Sequence, residues 1–91
     1  MEKIKKIIIA DSQFLVVEAL QSLISSDNSY LLSGIAGTRN DLLRLLQINN
    51  ADLLITDFAN IDFDGLDDLK NIKLKNPQLS ILILTNTISK Q

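Results

Sequence analysis

The chain has 91 residues, 46% of them hydrophobic and 22% charged, enough for one packed domain over residues 1–91 and too few for two. Its formal net charge of −2 and pI near 4.8 supply no broad attraction to nucleic acid or to an anionic membrane. Cysteine and histidine are absent, which excludes a disulfide framework, thiolate chemistry and any serine–histidine or cysteine–histidine catalysis.

Residues Lys6 to Ala10 form a continuous, isoleucine-rich run that reads as a strand buried on both faces, as in a parallel sheet. Phe14 to Ser25 carries Val16, Leu20, Leu23 and Ile24 at helical spacing. Asp11 or Ser12 is expected near the N-cap of this helix, and the polar cluster at 25–28 stops it. Tyr30 to Ala36 is a weaker strand, interrupted by Ser33 and Gly34, which suits an edge position. Thr38 caps a second helix with Leu42, Leu45 and Leu46 on one face, and Asn49-Asn50 ends it.

Leu53 to Thr56 is a third strand, and Asp57 opens a loop running to Gly65. The third helix, Gly65 to Lys75, has Asp62, Asp64, Asp67 and Asp68 at or before its start and Lys70, Lys73 and Lys75 towards its end. Both clusters complement the helix dipole. Asn76-Pro77 blocks continuation, and Ile81 to Leu84 forms a fourth strand. The β-α-β-α-β-α-β order with short connections is a run of right-handed parallel crossovers. Lys3, Lys5 and Lys6, like Lys70, Lys73 and Lys75, read as solvated charges rather than a binding patch.

No apolar run approaches the ~20 residues of a membrane span and no signal-type segment leads the chain, so a soluble, cytoplasmic protein without a membrane partner is expected. Three strand-like runs end on oxygen-bearing side chains: Asp11, Asp57 and Thr85. In an open parallel sheet these meet at the carboxyl edge, where such folds bind ligands. Taken singly, each acid has a plain structural reading, as a turn former or a helix cap. Together they suit phosphoryl transfer to a carboxylate, in which a divalent cation neutralises phosphoryl charge and a hydroxyl holds the transferred group. Mg²⁺ is the expected cofactor.

Here the chain resembles the receiver domain of two-component response regulators, closest to receivers of LuxR-type transcription regulators. The resemblance rests on Ile7-Ile8-Ile9-Ala10-Asp11-Ser12-Gln13-Phe14, on Asp57, on Gly65 eight residues later and on Thr85, and it covers essentially the whole chain. It implies a flavodoxin-like (CheY-like) α/β fold with strand order 2-1-3-4, lacking the fifth strand and the last two helices. It further implies phosphorylation of Asp57 by a sensor histidine kinase, with Mg²⁺ held by Asp11, Asp57 and the backbone carbonyl of Ala59. Thr85 becomes the switch hydroxyl. Such a domain is a signalling phosphoacceptor rather than an enzyme, at most phosphorylating and dephosphorylating itself, and it would control a C-terminal DNA-binding domain that lies outside this chain.

Three departures from the family pattern stand out. Ser12 replaces the second of two adjacent acids, so Mg²⁺ binding is expected to be weakened. Asn60-Ile61 replaces the usual Met-Pro after the acceptor. The strand-five lysine has no counterpart, since Lys90 lies about where a fourth helix would begin; the chain therefore reads as an N-terminal fragment of a longer regulator. An uncovered fourth strand suggests a homodimer through that edge or the adjacent apolar surface. The alternative is a degenerate receiver that serves as a dimerisation or docking module without phosphate. A hydrolase on a similar sheet is disfavoured, because the chain has neither a Walker loop nor an Asp-x-Asp after a strand.

Overall fold

The computed structural model describes residues 3–57, 59 and 61–84. Strands β1 (Lys5–Ala10), β2 (Tyr30–Ala36), β3 (Leu53–Asp57) and β4 (Ser80–Leu84) alternate with helices α1 (Phe14–Ser25), α2 (Arg39–Ile48) and α3 (Leu66–Lys75). Among the described residues the strands form one sheet in the order β2-β1-β3-β4, with each neighbouring pair parallel. This is the flavodoxin-like arrangement expected from the sequence. Asp57 is the last residue of β3 rather than the first of the following loop, and Gly65 is the N-cap of α3 rather than its first residue.

Alternation along the strands divides the core into two layers. Ile8, Ala10 and Leu54 face α2 and α3, where Leu42, Leu46, Leu69 and Ile72 meet them. Ile7, Ile9 and Ile55 face α1, where Ile24, Val17 and Leu20 cover them. Each fully buried aliphatic side chain contributes roughly 1.5–3 kcal/mol of hydrophobic free energy. The strands carrying most of that burial, β1 and β3, are therefore the firmest part of the molecule.

The covering face of α1 is rotated from the expected one. Val17, not Leu23, joins Leu20 and Ile24 against the sheet, and Leu23 is 68% exposed. The run from Phe14 to Ile24 has apolar residues at enough positions to satisfy two overlapping helical stripes, and the packing selects one. The N-cap also differs: it is Gln13, without a side-chain cap. Asp11 instead accepts from the Gln13 backbone N–H through Oδ1 at 2.8 Å, as an Asx turn leading into the helix. In α2 the Thr38 hydroxyl accepts from the Asp41 N–H at 3.2 Å, as expected.

Strand β2 occupies one edge, and its polar interruption has a structural cause. The register with β1 slips between Ile7 and Ile8, which pair with Leu32 and Gly34, so Ser33 is the extra residue of a bulge. A Cβ on Gly34 would stand 2.9 Å from a terminal methyl of Leu45. The glycine thus lets α2 lie close over this edge.

Candidate functional site

The site is built by register. Ala10 pairs with Thr56 across the β1–β3 ladder, so the next residues, Asp11 and Asp57, emerge side by side at the carboxyl edge, on backbones roughly 4.8 Å apart. Both are buried, with 2% and 8% of their surface exposed. Asp11 is fixed twice more: its N–H donates to the Ala36 carbonyl at 3.0 Å, and its Oδ1 receives the Gln13 N–H. Asp57 Oδ1 accepts from the Ala59 N–H at 2.9 Å.

Asp11 Oδ2 is buried and receives no hydrogen bond. Leaving a buried acceptor unmatched costs about 1–3 kcal/mol, and more for a charged one. A divalent cation between Asp11 and Asp57 would remove that cost, and hard oxygen donors of this kind suit Mg²⁺, which commonly takes one or two protein carboxylates. Two carboxylates are what the site offers: among the described residues no group of three or more metal-binding side chains forms. Ser12 is exposed.

The other expected participants divide. Ala59 is placed, with its backbone beside Asp57. Thr85, Asn60 and Lys90 lie outside the described residues. The fourth-strand run expected to lead to Thr85 is present, its last residue Leu84 paired with Asp57.

Two features at this edge escape a reading of the sequence by motifs. Thr56 is fully buried, and its hydroxyl donates to the Ala10 carbonyl at 2.8 Å. This bond ties β1 to β3 one residue before both acids. A hydroxyl inside an apolar strand must find a partner, and that is the signal that would have singled it out. The second feature is a polar clamp on the loop after Asp57. The Arg39 N–H donates to Asp62 Oδ1 at 2.6 Å, and the Arg39 guanidinium donates to Asp64 at 2.8 Å and to Asp68 at 3.1 Å.

The clamp has electrostatic consequences. Hydrogen bonds to Asp64 and Asp68 raise the Arg39 pKa above its ordinary value, so the guanidinium stays charged. The Asp64 N–H, which donates to Asp68 Oδ2 at 2.6 Å, and then Arg39 lower the Asp68 pKa. Asp62, Asp64 and Asp68 therefore do more than complement the helix dipole, the one role their place in the sequence suggested.

Comparison with known proteins agrees with this architecture. Residues 7–91 match the response regulator receiver domain family. An uncharacterized transcriptional regulatory protein, YhcZ of Bacillus subtilis (strain 168), is 27% identical over 81 residues, which are 89% of this chain and 38% of that protein. The non-phosphorylated receiver domain of the stress response regulator RcsB from Escherichia coli superposes with a TM-score of 0.86 at 28% identity, covering 96% of this chain and 69% of that one. RcsB from Salmonella enterica serovar Typhimurium, bound to promoter P1flhDC with the phosphomimetic BeF3-, gives 0.82 at 28% identity, covering 93% of this chain and 44% of its own. The chain thus spans less than half of the longer regulators it resembles. No helix among the described residues is long and apolar enough to cross a membrane. With a buried acid at the end of β1, another at the end of β3 and a family match over nearly its whole length, the chain belongs to the response regulator receiver domain family.

Proposed function

We propose that this receiver accepts a phosphoryl group on Asp57 from a sensor histidine kinase and passes the change to a DNA-binding output domain. The observation that carries the reading is the Asp11–Asp57 pair, buried side by side with Asp11 Oδ2 unmatched. An Asp57 carboxylate oxygen attacks phosphorus, the bond from phosphorus to the donor's imidazole nitrogen breaks, and the imidazole leaves with the electron pair. The product is an acyl phosphate. Asp11, Asp57 and the Ala59 carbonyl would hold Mg²⁺, which when bound neutralises charge on the phosphoryl oxygens. The Ala59 N–H orients the acceptor through Oδ1, and the Asp11 Asx turn keeps the first carboxylate at the same edge. Thr85 takes the switch-hydroxyl role. The setting is cytoplasmic, and DNA is reached only through the output domain.

Full chain incubated with acetyl phosphate and Mg²⁺ is expected to gain one phosphoryl group, seen as a mass increase that Asp57→Asn abolishes. Equal labelling of the Asp57→Asn variant would refute the assignment. Ser12, in place of a second acid, favours a second reading in which the domain is a degenerate receiver that docks or dimerises without phosphate. Under that reading the wild type stays unlabelled at saturating Mg²⁺. If Ser12→Asp then gains labelling, the missing acid is what disables the site. The surface for self-association in either reading is β4, where Leu82 and Ile83 are 49% and 39% exposed.

A further inference from the structure

Asp64-Gly65 is the one aspartate–glycine step in the chain, and it lies in the connection between β3 and α3. The side chain of an aspartate is open to attack by the backbone nitrogen of the next residue, which closes a five-membered imide. A side chain on that next residue hinders the approach, and a hydrogen-bonded N–H resists it. Gly65 presents neither obstacle. It has no Cβ, its backbone is extended at φ 169° and ψ −173°, and among the described residues its N–H meets no acceptor. The Asp64 side chain is 86% exposed. Asp62 differs, because Phe63 follows it and the Phe63 N–H donates to the Ile61 carbonyl at 2.8 Å. Asn28 differs in the same way: the N–H of Ser29 is taken by Asp27 Oδ1 at 2.8 Å.

We propose that Asp64-Gly65 is a modification site that converts spontaneously to isoaspartate through a succinimide, and that the Arg39 ion pair slows the conversion. The Gly65 nitrogen attacks Asp64 Cγ. The new carbon–nitrogen bond forms as the C–OH bond of the acid form breaks, and the hydroxyl leaves as water with the proton lost from nitrogen. A second water then reopens the ring. Cleavage of the original Asp64 main-chain carbon–nitrogen bond leaves Gly65 joined to Cγ, an isoaspartyl link whose main chain runs through Cβ; cleavage of the new bond restores aspartate. The reacting atoms sit on adjacent residues, so orientation is what remains to set the rate. Arg39 holds Asp64 Oδ2 at 2.8 Å from the α2 side, which opposes the turn of the carboxyl towards Gly65. An exposed ion pair contributes little, so the restraint is modest. The isoaspartyl link inserts Cβ into the backbone just before α3 and moves the free carboxylate to the main-chain carbon, away from the position Arg39 grips.

The site is independent of the phosphoacceptor reading of Asp57. Full chain is aged for weeks at neutral pH and body temperature and then digested. Isoaspartate is located by fragmentation mass spectrometry and counted with a protein isoaspartyl methyltransferase and labelled S-adenosylmethionine. It is expected at position 64, preceded in the same peptide by a species lighter by one water. Gly65→Ala should slow the conversion roughly tenfold by hindering the approach of the nitrogen. A Cβ built at Gly65 meets nothing within 4 Å, so this variant fits the folded backbone. Asp64→Glu keeps the charge but not the five-membered ring, and should abolish the product. Arg39→Gln should speed conversion roughly threefold, the scale of an exposed ion pair. If Arg39→Gln is unfolded by circular dichroism, raising salt to about 1 M, where the screening length is ~3 Å, makes the same comparison in the wild type. An aged chain without isoaspartate at position 64, or a Gly65→Ala chain that converts as fast as the wild type, overturns the site. A rate unchanged by Arg39→Gln in the folded chain and by salt overturns the restraint.

Discussion

Strands β1 and β3 lie inside the sheet and end in buried carboxylates, whereas β4 pairs with β3 and keeps much of its apolar surface in solvent. Ile8 and Leu54 are fully buried, while Leu82 on β4 is 49% exposed. All three are large aliphatic side chains on adjacent strands, so the difference is one of position. A strand hydrogen-bonded on both sides and covered on both faces has little freedom left to it, and that is where Asp11 and Asp57 sit. The two acids thus end the interior strands of the described sheet, and the exposed aliphatics lie on the strand at its margin.

The sharpest way to break this comparison is truncation in both places. Ile8→Ala should cost about 2–5 kcal/mol by emptying a filled site, enough to unfold a domain of this size in part, whereas Leu82→Ala should cost about 1 kcal/mol or less. Urea unfolding of the two variants measures the contrast, and equal losses would erase the distinction. Leu82→Lys extends the test: it should leave the urea midpoint nearly unchanged and abolish any concentration-dependent rise in light-scattering mass.

A smaller effect is expected at the tie between the two central strands. Thr56→Val keeps shape and removes the hydroxyl bound to the Ala10 carbonyl, so a loss of about 1 kcal/mol follows from the missing hydrogen bond. Phosphoryl labelling should fall along with stability, since the bond sets the spacing of the strands one residue before the acids.

The gentlest probe is pH. Asp68 has its folded pKa lowered below 3.8 by the Asp64 N–H and by Arg39, so its contribution is present above the unfolded value and disappears as pH falls through the folded one. The difference in thermal midpoint between wild type and Asp68→Asn should therefore be constant near neutrality and shrink below about pH 4. A difference that persists unchanged to pH 2 would show that the carboxylate's charge is not what the clamp uses.

Some of this was legible in particular residues. The isoleucine run before Asp11 and the Leu53–Thr56 run before Asp57 located two interior strands, because unbroken aliphatic runs suit burial on both faces. Thr38, as an N-cap, located α2 closely, and Ser33-Gly34 marked β2 as the edge. The covering face of α1 was not legible, since a helix rich in Val and Leu offers several stripes of similar strength. Ser12 could be named as a departure, but its exposure beside a buried Asp11 is a fact of the folded edge.

By itself, then, the sequence determined the alternating elements and the two acids that end the central strands, since periodicity, caps and breakers act over a few neighbouring residues. Only the tertiary structure decided that Asp11 and Asp57 stand side by side through the Ala10–Thr56 register, and that Asp11 keeps one oxygen unmatched. It also decided that Arg39 grips acids 23 to 29 positions away. Ladder register and helix-to-loop contacts are fixed by how whole surfaces pack, and no local pattern encodes that.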